Sequence, residues 1–511
     1  MKAHKKSGPR SLRAASTIKI RKAQSEYARK SGWAGSSGTQ IHFDAATSDP
    51  LPNVSVRGSR MRPIPLSVIR QCFKLYQDML YGIWPLTSGE ELIEALATKP
   101  IEETWEEYTH ALALSAATLS ELQSSVHDET LPAPVTAAWL IEETKRARTH
   151  FDYLERISLD SIQTSYFLHR YYGRQLGMER TAFMYIREAI AFAHFYGLHT
   201  EAVYADRPVK EQQFMRRLYY LLLNTERYLC IKFGLPVVLD PIEMPTLDHE
   251  DHPDKLVGFI NLVNIFSAPD KDFYDRWTSN SKSADVKCSK QWLIDIQHRL
   301  DHPYLSDNSD NIQRVDILVS RHWIRALTWK LSIFSGHVGV NEDRVLGMDY
   351  PVEIARDLLW DASMIPEDAF EVHGPGMEVK LFEVANLLAD VVLSRPKFDR
   401  SFVMAPEDIL RAVTDIISSL RVKNKDLRDL LMNKMSLACS SHSSIPRIID
   451  LDEQKLEETA NSDTSPEDYA LGLSPIHSSI ADNSEDIKRD FDDLLEETKF
   501  PFGIDVLEML S

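Results

Sequence analysis

The side chains best able to do chemistry in this 511-residue sequence are scattered rather than grouped. The nearest approach to a metal set is His249-Glu-Asp-His252. Two histidines three apart, with acids between them, could ligate zinc from one helix face. Pro245 and Pro253 flank them, and proline argues against a helix there, so a solvated loop is expected. The acid pairs Glu102-Glu103 and Glu142-Glu143 are expected at solvated helix starts, where the macrodipole favours negative charge. Cys72, Cys230, Cys288 and Cys439 lie far apart and share no C-x-x-C spacing. That argues against both a disulfide framework and a cysteine-built zinc site. Cys230 falls in an apolar run and is expected to be a small buried hydrophobe. G-x-x-x-x-G-K-[ST], G-x-G-x-x-G, G-x-S-x-G and H-E-x-x-H do not occur. Nothing assembles a nucleophile, a base and an oxyanion pocket. No catalytic, cofactor-binding or metal residue is assigned, and the chain is not expected to be an enzyme.

The elements that carry these residues read as helices. Val68, Ile69, Cys72, Phe73, Tyr76, Met79 and Leu80 recur at steps of three and four, the spacing of one helix face. Phe183, Ile186, Ile190, Ala193 and Gly197 repeat the pattern, and Gly197-Leu-His199 predicts a glycine stop. From Phe214 to Leu229 apolar residues occupy nearly every face, which predicts a deeply buried helix ending at Gly234-Leu-Pro236. Further helices are predicted from Ile312 to about Phe334, from Leu381 to Leu393 and from Ile409 to Leu420. Polar loops are predicted at 268–288 and 301–310. Pro236-Val-Val-Leu-Asp240 is a short extended piece only, and no alternating strand series is found. With 19 glycines among 511 residues, turn-rich β folds are disfavoured. The predicted class is all-α: a multi-helix bundle between a disordered basic linker (1–60) and an acidic, mostly disordered tail (441–511).

Charge separates the two ends. The net charge is −18, yet residues 1–30 carry ten Lys/Arg and one Glu, while 448–511 carry eighteen Asp/Glu and four Lys/Arg. Different partners for the two ends follow. The head has no apolar h-region, and no stretch reaches the roughly 18 apolar residues that a membrane span needs, so an intracellular protein without a membrane partner is expected.

Several segments carry a resemblance beyond periodicity. They are Tyr166-Phe-Leu-His-Arg-Tyr-Tyr172, Arg187-Glu-Ala-Ile-Ala-Phe-Ala-His-Phe-Tyr-Gly-Leu-His199, Arg216-Arg-Leu-Tyr-Tyr-Leu-Leu-Leu-Asn-Thr-Glu-Arg227, Gly234-Leu-Pro-Val-Val-Leu-Asp-Pro241 and Gln313-Arg-Val-Asp-Ile-Leu-Val-Ser-Arg-His-Trp-Ile-Arg-Ala-Leu-Thr-Trp329. In order and spacing they resemble the middle homology region of fungal zinc-cluster (Zn2Cys6) transcription factors, over roughly residues 64–440. The most similar branch is that of the maltose and amylase regulators and their cousins in secondary-metabolite gene clusters. The head, Ala3-His-Lys-Lys-Ser-Gly-Pro-Arg-Ser-Leu-Arg13, resembles the basic linker that follows the cysteine cluster in that branch. None of the six cysteine ligands of that cluster is present. No cofactor is therefore expected, and zinc would be expected only if such a cluster exists upstream.

The resemblance implies a nuclear regulator of a fungal gene set, for carbon utilisation or a secondary-metabolite cluster. It would reach DNA directly or through a partner factor, engage coactivators, and form homo- or heterodimers. Lys2, Lys5, Lys6, Arg10, Arg13, Lys19, Arg21 and Lys22 could attract phosphates without reading sequence, or serve as a nuclear import signal. In the tail, Ile487, Phe491, Leu494 and Leu495 stand at helical spacing among acids, followed by Phe500, Phe502 and Leu507. An activation segment at 485–511 that folds on a coactivator has this composition, as does a helix docked on its own domain. Arg216-Arg217 and Glu226-Arg227 are expected to form surface or structural ion pairs. Two other functions remain open: a non-DNA-binding protein that dimerises with full-length relatives, and a helical enzyme of unknown reaction.

Overall fold

Pro65 precedes the first helix, α1 (Leu66–Met79), and Val68, Ile69, Cys72, Phe73 and Tyr76 form its buried face. The structure, a computed structural model, describes residues 64–441 except 87–88, 248–249, 251, 279–287, 302–309, 340–342, 372, 395–403 and 421–424. Among the described residues every regular element is helical, apart from one isolated bridge between Val126 and Val135. The all-α class read from the sequence is what the structure shows.

The N-terminal part continues with α2 (Glu90–Thr98), α3 (Trp105–Glu121), α4 (Ala137–Arg148), α5 (Leu159–Tyr172), α6 (Glu179–Tyr196) and α7 (Val209–Phe233). Each end has a local cause. At the start of α5, Ser158 and Ser161 exchange side-chain and backbone hydrogen bonds in a capping box. α6 ends at Gly197, whose φ of 95° is left-handed. The Leu198 amide there reaches back to the Ala193 carbonyl at 2.9 Å, so a Schellman turn closes the helix. α7 ends in the same way at Gly234, as the glycines predict. This 25-residue helix is buried from Gln213 to Cys230 on nearly every side.

The remainder comprises α8 (Pro253–Ser267), α9 (Lys271–Thr278), α10 (Lys290–Leu300), α11 (Asn311–Phe334), α12 (Tyr350–Ala362), α13 (Asp368–Glu371), α14 (Pro375–Ser394), α15 (Pro406–Ser419) and α16 (Lys425–Ser441). Three apolar cores result. The first joins α1 to α7 around Tyr166, Phe167, Leu218 and Leu222. The second joins α11 to α16 around Trp329, Phe382 and Leu388. The third lies between them, around Phe266, Phe273 and Trp323. α11 serves two of these: Val315, Leu318, Val319, Ala326 and Trp329 enter the second core, while Ile317, Trp323, Ile324 and Leu327 enter the third. Its Gln313 amide also donates to the carbonyls of Gly82 (2.8 Å) and Lys255 (2.6 Å), tying it to the first part and to α8.

Two expectations are corrected. Glu142-Glu143 do not start a helix: α4 begins at Thr136, whose hydroxyl caps the Trp139 amide, so the pair sits in mid-helix. Glu143 is buried there, accepting from Tyr108 and pairing with Arg146. The 268–288 segment is not all loop, because α9 forms within it and buries Phe273 and Tyr274. Asp270 and aromatic packing supply what the polar composition conceals: its carboxylate accepts from the Phe273 amide and the Trp292 indole. Glu102-Glu103 lie in a short 3-10 turn just before α3, close to the expected helix start.

Candidate cavity where the three cores meet

Burying α7 on all sides forces its polar residues inward. Leu221, Asn224, Thr225, Tyr228, Leu229 and Lys232 form one face of it, and they line a cavity of 180 Å³. The opposite walls come from α5, α11 and the start of α14, with Trp84 and Phe266 closing the sides. All three cores border it.

Several of the charged groups around the cavity are paired. Arg174 donates to Glu121 at 2.7 Å, with Arg170 of α5 on the other carboxylate oxygen at 3.3 Å. Lys380 of α14 pairs with Asp316 of α11 at 3.1 Å. Burial alone would push the Asp316 carboxyl up, but Lys380 and His373, together with the Lys380 and Ser320 hydrogen bonds, outweigh it and hold it below the usual range. Burial lowers His169 to about 3, and its Nδ1 donates to the Ala182 carbonyl at 2.9 Å. The ring is therefore neutral, with Nε2 left as an acceptor. Burial also draws Lys232 below the ordinary ammonium range.

Against this background some polar atoms stand out. Asn224 is 6% exposed, and neither its amide nitrogen nor its oxygen has a hydrogen-bond partner among the described residues. The Tyr228 hydroxyl and Arg170 Nε are likewise buried without one. Leaving such atoms unsatisfied costs about 1–3 kcal/mol each, so native structures rarely keep them without a reason. The backbone accommodates this arrangement: a Cβ at Gly376 would lie 3.3 Å from the Tyr228 hydroxyl, and one at Gly374 would lie 2.9 Å from the Arg174 guanidinium.

The polar residues singled out from the sequence are placed elsewhere. Arg216 pairs with Glu201 at 2.7 Å and Glu243 at 2.9 Å, and Arg217 with Glu250 and the Pro85 carbonyl. Glu226 accepts from Arg187 at 2.6 Å and from the amides of Val238 (3.0 Å) and Leu239 (2.8 Å). Arg227 donates to the Phe266 carbonyl and lies over the Tyr274 ring at 4.8 Å. These are structural pairings: Arg217, Glu226 and Arg227 are held in the interior, whereas the Glu201 and Glu243 partners of Arg216 are exposed, so that pairing reaches the surface; the two motif pairs do not bond to each other. The stretch 236–240 forms no strand; the Glu226 carboxylate takes the Val238 and Leu239 amides. His252 stands just before α8, while His249 and Asp251 lie outside the described residues. Glu250 departs from the solvated loop expected there, since its side chain is buried against Arg217. Among the described residues no group of three or more His, Cys, Asp or Glu could hold a metal ion, and no helix is long and apolar enough to cross a membrane. The basic set Lys2, Lys5, Lys6, Arg10, Arg13, Lys19, Arg21 and Lys22 lies outside the described residues. So do the tail residues Phe491, Leu494, Leu495, Phe500, Phe502 and Leu507.

Sequence reasoning passed over Asn224, Tyr228 and Arg170 as a set. A signal existed: two polar side chains four apart inside an otherwise apolar, fully buried helix.

Comparison with known proteins gives one consistent picture. The fungal-specific transcription factor domain matches residues 106–302. The probable sucrose utilization protein SUC1 of Candida albicans is 34% identical over 362 residues, 70% of this chain and 70% of its own. The maltose fermentation regulatory proteins MAL13 and MAL63 of Saccharomyces cerevisiae are 34% and 32% identical, over 74% and 84% of this chain and 77% and 86% of theirs.

Proposed function

Since this chain belongs to the fungal transcription factor family of the maltose- and sucrose-utilisation regulators, we propose that it controls genes for the use of a sugar, acting in the nucleus. Its role as a transcription regulator follows from the family. The sugar is our own reading. The observation that carries it is that identity above 30% with proteins of that printed role extends over most of the chain rather than over one domain. The basic head is proposed as the segment that contacts phosphates or directs nuclear entry, and the tail at 485–511 as the segment that engages a coactivator.

Deleting the gene tests this. Transcripts of sugar-utilisation genes should fail to rise when the strain is moved from glucose to maltose or sucrose. A deletion strain with intact induction on both sugars would refute the reading.

A second reading has its own observation. Cys72, Cys230 and Cys288 are each buried and far apart in the chain, and burial raises the Cys72 and Cys230 thiols to about 12, so they are not available as a zinc set. On this reading the chain acts by pairing with relatives that carry a zinc cluster. Promoter occupancy that vanishes when such a relative is deleted would favour it over direct contact.

A further inference from the structure

We propose that the cavity bordered by α5, α7, α11 and α14 is a binding site for a small, neutral, polyhydroxylated molecule about the size of one sugar ring, with Asn224 as its central recognition residue. The proposal deepens the sugar-regulator reading and rests on it for the choice of ligand class.

The size comes first. A volume of 180 Å³ is far above the roughly 10–15 Å³ that a single water requires, and suits one compact small molecule. The space is not an apolar packing defect, because polar atoms without partners border it.

The chemistry of those atoms narrows the class. Asn224 offers one donor group and one acceptor, both unsatisfied, and the Tyr228 hydroxyl offers both roles. A ligand satisfying all three must itself donate and accept at adjacent positions, as vicinal hydroxyls do. The flanking rings of Trp84, Tyr166, Phe183 and Phe266 give apolar faces against which the C–H side of a sugar ring can lie. Charge argues for a neutral ligand. Arg174 and Arg170 already share Glu121, Lys380 holds Asp316, and His169 is neutral. An anion would have to compete with carboxylates already bound to Arg170, Arg174 and Lys380, and burial draws the remaining lining ammonium, Lys232, towards its neutral form. The position suits a sensor, since the walls come from helices of all three cores and an occupant would contact each at once.

The test uses the full chain and three probes of one sugar ring each, glucose, fructose and galactose, with gluconate and inorganic phosphate as anionic controls. Binding is read by titration calorimetry and by the shift in melting temperature. At least one neutral sugar should bind saturably and raise the melting temperature, while gluconate and phosphate should not. Asn224→Leu should weaken that binding at least tenfold, yet melt no lower than the parent without sugar, because a similar-sized apolar side chain removes an unsatisfied amide. Tyr228→Phe should weaken binding without loss of folding and serves as the second variant. Three results would overturn the proposal: no binding of any neutral sugar by a folded chain, tighter binding of an anionic control, or undiminished binding by both variants. These outcomes are separate from those of the gene deletion. A chain that binds sugar yet controls no sugar-utilisation gene would sink the functional reading and leave the site standing. A chain that controls those genes but binds no sugar would sink the site alone.

Discussion

Replacing Glu226 by Gln alters little but charge and one acceptor atom, at a point where three donors converge. The carboxylate is 1% exposed and takes hydrogen bonds from the Arg187 guanidinium and the Val238 and Leu239 amides. Gln can keep its oxygen near Arg187 and Val238, but its NH₂ then faces the Leu239 amide, donor against donor. One buried donor left unsatisfied costs about 1–3 kcal/mol, and the Arg187 bond falls from the charge-assisted range to the neutral one, about 1 kcal/mol more. Glu226→Gln should therefore destabilise by about 2–4 kcal/mol. Glu226→Ala strips all three donors and breaks a buried pair. It should cost at least about 3–5 kcal/mol, a large share of the total stability of a typical domain. Urea unfolding followed by tryptophan fluorescence measures the global loss. Amide hydrogen exchange locates it, because Val238 and Leu239 should exchange tenfold or more faster while amides in α4 and α5 change only with the global term. A Glu226→Gln variant within about 0.5 kcal/mol of the parent, with both amides still protected, would refute the assignment of this carboxylate as the clasp of the 236–240 segment.

Acidification should destabilise the fold well before the carboxylates titrate. Burial lowers His169 to about 3 and His322 to about 4, against an unfolded value of about 6.5, so their contributions are complete above pH 6.5 and lost as pH falls below it, at about 1.4 kcal/mol per pH unit for each. A melting temperature that stays level from pH 7 to 5 would contradict this. Gly89→Ala should cost about 2–4 kcal/mol, because φ is +81° and the new Cβ would lie 2.1 Å from the Phe73 ring; Gly234→Ala, left-handed but with open space, should cost only about 1 kcal/mol. Equal effects in thermal melts would show that the Phe73 contact does not matter. Residues 485–511 fused to an unrelated DNA-binding module should activate a reporter, and joint replacement of Phe491, Leu494 and Leu495 by Ala should abolish activation, since each buried apolar side chain contributes about 1.5–3 kcal/mol. A silent fusion, or an active triple variant, would leave the tail without that role.

Helices whose ends are set by local chemistry were readable from the sequence. α6 and α7 stop where Gly197 and Gly234 turn left-handed, and the stripes of α1 and α11 face the cores that their periodicity implies. Elements set by distant contacts were not. Glu143 looks like a helix-start acid until Tyr108 and Arg146 are seen beside it. α9 is polar in composition and is held in place by burying Phe273 and Tyr274. The cavity was least readable of all. Its walls combine Glu121, Arg170, Asn224, Asp316 and Lys380, which no spacing rule connects, and its signature is a missing hydrogen bond rather than a motif.

His322 illustrates how finely a buried charge state can be specified. Its Nε2 lies 3.1 Å from the Asp361 carboxylate, and its Nδ1 lies 3.3 Å from the Arg325 guanidinium. Arginine can only donate, so Nδ1 must accept, and the carboxylate then requires the proton on Nε2. The neutral tautomer is thereby chosen by its neighbours, in agreement with the lowered pKa.

The double duty of α11 has a consequence for fragments of this chain. A chain ending before Asn311 loses Ile317, Trp323, Ile324 and Leu327 from the third core, together with the Gln313 amide that spans Gly82 and Lys255. The face of α8 bearing Phe266 would then meet water. Conversely, a fragment starting at Asn311 would carry the apolar stripe of α11 with nothing to cover it. There is thus no seam at which the described fold can be cut into two self-sufficient halves, and premature stop codons or internal proteolytic nicks around α11 should yield aggregation-prone chains rather than working subdomains.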